Sequence, residues 1–146
     1  MDVKGAYLNG LLLERVFMKQ PDGYSDGTHR ICQLIKTLYG LKQAGREWNK
    51  VLNTRLQRRG FKSLKSDLCV YVRQNADDLA IITIWVNDLL LFTTSEQTMT
   101  NLKTELKSMF DLTDIGEPNK IIGIEINRRD DSIIITQKNY IESILR

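Results

Sequence analysis

The sequence predicts an α+β fold with mostly antiparallel strands, and three observations carry that reading. Two apolar runs meet at Asn87-Asp88, and two more flank residues 128 to 131, both with the spacing of a β-hairpin. Two longer stretches, beginning near Leu41 and near Ser95, repeat apolar residues at helical intervals instead. Strand and helix signals then follow one another in a mixed order.

Taken along the chain, Met1 to Leu8 alternates imperfectly as a first strand and runs into Asn9-Gly10, a turn signal. Arg15 to Lys19 offers a short second strand, and Pro21-Asp22-Gly23 with Ser25-Asp26-Gly27 makes a loop. From Leu41 to Arg59, Ala44, Trp48, Leu52 and Leu56 line one helical face while Lys42, Arg46 and Lys50 line another. Cys69 to Val72 is a short strand. Ala80 to Val86 and Leu89 to Thr93 flank Asn87-Asp88, two residue types that tolerate the positive φ of tight turns. The next helix runs from about Ser95 to Phe110, with Met99, Leu102, Leu106 and Met109 on its inner face and Thr94 with Gln97 as a capping box. Gly116 and Pro118 end that unit. Lys120 to Asn127 and Ser132 to Thr136 form the second hairpin, and Gln137 to Arg146 begins a last helix.

Composition sets the outer bounds. A chain of 146 residues, 42% hydrophobic and 27% charged, suits one domain spanning residues 1–146, with a real core and no sign of disorder or repeats. The apolar stretch Leu79 to Phe92 is interrupted at its centre, so no membrane span is expected. With no basic start and greasy segment to mark a secretory signal, an intracellular setting, cytoplasmic or nuclear, is expected. Cys32 and Cys69 lack paired spacing, His29 is the only histidine, and both cysteines read as plain thiols.

Charge is distributed unevenly. Residues 36 to 65 hold nine Lys and Arg against Glu47 alone, a local +8 within a net charge of +3. Such a block suits a polyanion, phosphate above all, and a solvated helix face is the plainer alternative. Asp2 on the first strand and Asp88 at a hairpin tip are the acids of interest. Carboxylates so placed could take Mg²⁺, which needs only one or two of them besides substrate phosphates. From spacing alone, simple turn chemistry is the better account of Asn87-Asp88.

Four segments in order add a resemblance that covers essentially the whole chain. They are Met1-Asp2-Val3-Lys4-Gly5-Ala6-Tyr7-Leu8-Asn9-Gly10 with Val16-Phe17-Met18 and Gln20-Pro21; Leu38-Tyr39-Gly40-Leu41-Lys42-Gln43-Ala44 with Arg46 and Trp48; Asp67-Leu68-Cys69-Val70-Tyr71 leading to Trp85-Val86-Asn87-Asp88; and Asp114-Ile115-Gly116 with Ile122-Gly123-Ile124-Glu125-Ile126, Gln137 and Tyr140-Ile141. Together they resemble the reverse transcriptases of copia-type LTR retrotransposons, which usually carry Tyr-Val-Asp-Asp where this chain has Trp85 to Asp88.

The resemblance implies a right-hand polymerase palm, a small mostly antiparallel sheet packed on helices, lacking fingers, thumb and RNase H region. It implies an RNA or DNA template-primer and deoxynucleoside triphosphates as partners. Asp2, Asn87 and Asp88 fall at the catalytic positions, with Asp2 and Asp88 as ligands of Mg²⁺, of which the family uses two ions. Val3, Lys4, Gly5 and Ala6 would lie near the triphosphate, Tyr7 under the sugar, and Tyr39 with Gly40 beside the incoming base. Tyr7 also suits an ordinary core position. Lys42, Arg46 and Lys50 would follow the template backbone. Gly123 would support the primer end by allowing close backbone approach, a generic strand bulge being the alternative.

The departures from the family pattern are as informative. Asn87 stands in place of the first paired acid, Gly45 where the family generally has Pro, and Thr113 where Lys is common. The expected result is a weakly active or inactive polymerase part, or a nucleic-acid-binding remnant without chemistry.

Overall fold

The computed structural model describes residues 1 to 145, in two compact units, Met1–Thr113 and Asp114–Arg146. It is mixed α+β, and every strand pair among the described residues is antiparallel.

The first unit opens with β1 (Asp2–Val3), much shorter than the strand expected over residues 1 to 8. Gly5 ends it at φ 57, a left-handed conformation, and a Cβ there would sit 3.0 Å from the Leu8 side chain. A 3₁₀ turn, Ala6–Asn9, follows instead of more strand. Next comes β2 (Leu11–Met18), four residues longer on its N-terminal side than expected, paired with β3 (Cys32–Lys36). β3 was not expected, since its five residues are too short a signal beside the Gly-rich loop that precedes it. Helix α1 is Ala44–Arg58, so Lys42 precedes the helix and does not share its face with Arg46 and Lys50. Its inner face is the expected one: Ala44, Trp48, Leu52 and Leu56 are buried. Bonds from the Gly60 N–H to the Gln57 carbonyl and from the Phe61 N–H to the Leu56 carbonyl close its C-terminus.

The remaining strands of this unit are β4 (Lys62–Ser63), β5 (Val70–Asn75), β6 (Asp78–Trp85), β7 (Asp88–Thr93) and β8 (Leu112–Thr113). With β1 they make one sheet in the order β4-β5-β6-β7-β1-β8. Between β7 and β8 lies α2 (Glu96–Met109), whose N-cap is Ser95, its hydroxyl accepting the Thr98 N–H at 3.1 Å. The expected Thr94–Gln97 box does not form, because the Thr94 hydroxyl instead accepts the Leu79 N–H at the end of the sheet.

Alternation along the strands puts Tyr71, Ala80, Ile82 and Leu89 on the buried face, in one core with Trp48, Leu52 and Leu56 of α1 and Leu102 and Leu106 of α2. Val3 joins that core fully buried, which fixes β1 by its single apolar side chain. The face opposite carries Asp2 and Asp88.

In the second unit β9 (Lys120–Ile121), β10 (Ile124–Arg128) and β11 (Ile133–Thr136) form a sheet in the order β11-β10-β9. The strand expected over 120 to 127 is thus folded in two at Ile122-Gly123. Helix α3 (Lys138–Ile144) follows; the expected helix ran to Arg146, which lies outside the described residues.

Candidate active site

The site begins with strand register. Asp2 lies directly opposite Asp88 between β1 and β7, and on its other side opposite Thr113 of β8. Asp88 in turn lies opposite Trp85 of β6. Opposite residues of antiparallel strands share a face, so Trp85, Asp88, Asp2 and Thr113 form a row across four strands.

Hydrogen bonding tells which kind of pair the two acids make. Met1 and Leu89 exchange two bonds, each of 2.8 Å, so the next pair inward is the non-hydrogen-bonded kind. Such pairs bring the Cα atoms to about 4.5 Å and the side chains closest together. Like charges placed so are unfavourable. A cation between them would reverse the sign.

The hairpin joining β6 to β7 differs from expectation in one respect. Trp85 pairs with Asp88, so the two turn residues are Val86 and Asn87, and Asp88 is already strand. Val86 has φ 55, which a β-branched residue adopts only against steric resistance. The indole N–H of Trp48 donates to the Val86 carbonyl at 2.9 Å and holds it there. Trp48 also packs edge-on against Phe110 at 5.2 Å, so the tip is tied to the core.

Asn87 turns inward. Its backbone carbonyl accepts the Val3 N–H at 2.8 Å, and its side-chain Nδ2 donates to the Val3 carbonyl at 3.0 Å. The same amide meets the Tyr39 hydroxyl, with Nδ2 at 3.1 Å and Oδ1 at 3.2 Å. The Tyr39 ring lies 4.6 Å from that of Tyr7, tilted by 39°. Four of the residues singled out by sequence, Val3, Tyr7, Tyr39 and Asn87, therefore form one connected chain beside the acid pair. A cleft of about 130 Å³ opens beneath it, lined by Tyr7, Gly45, Trp48, Cys69, Ile84 and Val86 among others.

The other expected residues are placed less centrally. Ala6 is fully buried and Gly5 supplies the turn between β1 and the 3₁₀ segment. Lys4 is exposed and pairs with Asp111 at 3.1 Å, while Gly40 is an exposed turn residue after Tyr39. Lys42 is exposed and makes no ion pair among the described residues. Arg46 and Lys50 do not simply face solvent: Glu47, only 9% exposed, accepts from Arg46 Nε at 3.0 Å and from Lys50 Nζ at 2.9 Å. Those two bonds, Lys50 first, hold the Glu47 carboxyl below its usual range. Arg55 lies over the Phe110 ring and Arg59 lies near Glu105, so part of the basic block is structural. Gly123 has φ 79 with open space where a Cβ would go. It serves turn geometry and leaves that position clear of protein atoms.

Sequence reasoning missed Trp85 and the anchoring role of Trp48. Both were visible as motif residues, but only register places Trp85 beside the acids.

For Mg²⁺ the donor set can be tested. Two carboxylates opposite one another suit a single ion, which takes one or two carboxylates plus phosphate and water oxygens. A second ion would lean on residue 87, where the amide brings no charge and its nitrogen is already given to the Val3 carbonyl. Among the described residues no three His, Cys, Asp or Glu cluster for a metal. Asp2 and Asp88 therefore suit one ion, with residue 87 adding no charge toward a second.

The family model described as reverse transcriptase (RNA-dependent DNA polymerase) matches residues 1–146. A retrovirus-related Pol polyprotein from transposon TNT 1-94 of Nicotiana tabacum is 34% identical over 99% of this chain, and that from transposon RE1 of Arabidopsis thaliana is 33% identical over 99%. A putative transposon Ty5-1 protein of Saccharomyces cerevisiae is 31% identical over 97% of the chain. The chain spans 11%, 10% and 47% of those relatives' lengths respectively. No solved structure gives a significant match.

Proposed function

The chain belongs to the reverse transcriptase (RNA-dependent DNA polymerase) family, and from that premise we propose that it is a polymerase palm whose nucleotidyl transfer is weak or lost. The observation that carries this reading is the narrow cross-strand pair of Asp2 and Asp88, flanked by an amide at residue 87. Asp2 and Asp88 would hold one Mg²⁺ ion. Such an ion, when bound, neutralises phosphate charge and polarises a phosphorus–oxygen bond.

What the chain's own residues do follows from their placement. Tyr7 and Tyr39 present a tilted aromatic pair to the sugar and base of a deoxynucleoside triphosphate. Trp85, 56% exposed and in the row with the acids, offers a face on which a base can stack. Lys42 is the freest cation for template phosphate, and Arg46 and Lys50 contribute less because Glu47 already compensates them. Fingers, thumb and RNase H region would come from the rest of a longer polyprotein working on RNA or DNA in cytoplasm or nucleus.

The competing reading is a nucleic-acid binder without chemistry, favoured by the commitment of the Asn87 amide to Val3. Primer extension separates the two. Grafted into intact related fingers and thumb, the unaltered sequence should extend primers slowly, and Asn87→Asp should restore a substantial part of the rate. Asn87→Glu should restore less, since its added methylene displaces the oxygens. Equal rates for the unaltered and Asn87→Asp grafts would remove Asn87 from the metal-ligand position. Duplex retention without extension by any graft would favour the binder.

A further inference from the structure

Val3 and Asn87 are joined twice, by bonds running in opposite directions. The Val3 N–H reaches the Asn87 carbonyl at 2.8 Å, and the Asn87 Nδ2 reaches the Val3 carbonyl at 3.0 Å. In a regular antiparallel ladder the return bond would come from a backbone N–H. Here the hairpin turn intervenes, and a side chain supplies the last rung.

We infer that Asn87 is a positioning residue that closes the seam between β1 and the β6–β7 hairpin without any cation, and that through Tyr39 it sets the Tyr7–Tyr39 ring pair. Only an amide can do this. A carboxylate in the same position would set an anionic oxygen against the Val3 carbonyl oxygen at about 3 Å, and two acceptors at hydrogen-bond distance repel unless a proton or a cation lies between them. It would also add a third negative charge beside Asp2 and Asp88. The amide orientation follows from the same reasoning, since turning it over would place Oδ1 against the Val3 carbonyl.

The second arm of the network explains why the amide matters beyond the strand. The Tyr39 ring is half exposed at 52%, and its hydroxyl bonds to Asn87 across 48 residues of sequence. Loss of that bond frees the ring to leave Tyr7, whose ring it meets at 4.6 Å. One residue therefore joins three segments, β1, the turn at Tyr39 and the hairpin tip, in a closed arrangement built from hydrogen bonds alone.

The test is thermal melting of the full chain and of Asn87→Asp, Asn87→Ala and Tyr39→Phe, each in EDTA and in millimolar Mg²⁺. The unaltered chain should rise only slightly in Mg²⁺, by the share that Asp2 and Asp88 hold without a charge at residue 87. Asn87→Ala should melt lower in EDTA, by roughly 2–4 °C, with the same slight response to Mg²⁺. Asn87→Asp should melt lowest in EDTA and recover several degrees in Mg²⁺. Tyr39→Phe should show the smallest drop and an altered near-ultraviolet tyrosine signal. The EDTA arm depends only on the hydrogen bonds, whereas the Mg²⁺ recovery also rests on Asp2 and Asp88 being cation ligands, so the two failures can be told apart.

If Asn87→Asp melts with the unaltered chain in EDTA, the inference is overturned. Should the variants not fold, the unaltered chain still decides, through exchange of the Asn87 side-chain amide protons with solvent. Slowed exchange relative to the exposed Asn75 and Asn101 supports the latch, and equal exchange rejects it.

Discussion

Two hairpin tips in this chain are built alike and held differently. Val86-Asn87 joins β6 to β7, and Ile122-Gly123 joins β9 to β10; each is a two-residue turn with a β-branched residue at positive φ, 55° for Val86 and 50° for Ile122. The first tip is fastened by Trp48 to its carbonyl and by Asn87 to Val3 and Tyr39. The second exposes Ile122 to 53% and has open space around Gly123. Strain of about 1–3 kcal/mol persists at such positions only where surroundings impose it or a turn requires it. Fastening, more than turn type, marks the first tip as the site.

The largest effect should come from undoing that fastening. Trp48→Ala removes the bond to Val86 and a buried ring, and should cost about 3–5 kcal/mol of stability; Trp48→Phe keeps much of the ring and should cost about 1–2 kcal/mol, mostly the bond. Urea denaturation gives both numbers. A Trp48→Phe loss no larger than that of an exposed control such as Gln57→Ala would mean that the indole does not hold the tip.

At the second tip the sign should reverse. Ile122→Asn creates the Asn-Gly sequence that turns with two positive φ values prefer, so the second unit should gain about 1 kcal/mol. The same change at Val86 should gain less, because the carbonyl is already pinned from outside. Hydrogen exchange resolves the two units, and equal gains at both tips would show that fastening makes no difference.

How much of this was legible in sequence differs between the tips for a physical reason. Helical periodicity marked the buried faces of α1 and α2, and the apolar runs of β6 and β7 were unmistakable. Turn chemistry was less reliable. Asn87-Asp88 looked like the turn because Asn and Asp favour positive φ, yet Val86 takes that conformation, held by Trp48 38 residues away. Likewise Ile122 gave no warning of a turn, and the short strands β1, β4 and β8 exist only as partners of others. The acids themselves were named from sequence, while their narrow pairing required the register. The basic face was read as uniformly available, since nothing local reveals that Glu47 is buried beneath Arg46 and Lys50.

A smaller effect concerns the cleft beneath the fastened tip. Gly45 sits in the first turn of α1, where a Cβ would lie 3.7 Å from the Tyr7 hydroxyl, an ordinary contact. Gly45→Ala should therefore stabilise the first unit by about 0.5–1 kcal/mol through helix propensity and narrow the cleft against Tyr7. A destabilised variant would mean that Tyr7 needs that space.

The smallest expected effect is a pH dependence under the same tip, and its sign follows from Glu47. Lys50 and Arg46 hold this carboxyl below the usual carboxylate range in the folded chain. A depressed folded pKa contributes stability that is complete above the unfolded value and disappears as pH falls through the folded one. Glu47 precedes Trp48 on α1, so protonation loosens the helix segment that fastens Val86. Asp26 also lies well below the usual carboxylate range, held by Thr28, Gln20 and Arg30, and would add to the same acid loss. Comparing Glu47→Gln with Asp26→Asn separates them. The stability of the unaltered chain should fall on acidification below about pH 4.5, the fall should be shallower in each variant, and only Glu47→Gln should make exchange of the Asp88 and Leu89 amides independent of pH beyond the intrinsic rate. A Glu47→Gln chain with an unchanged acid limb would show that Arg46 and Lys50 do not hold Glu47 in solution, which would return both cations to the face available for phosphate.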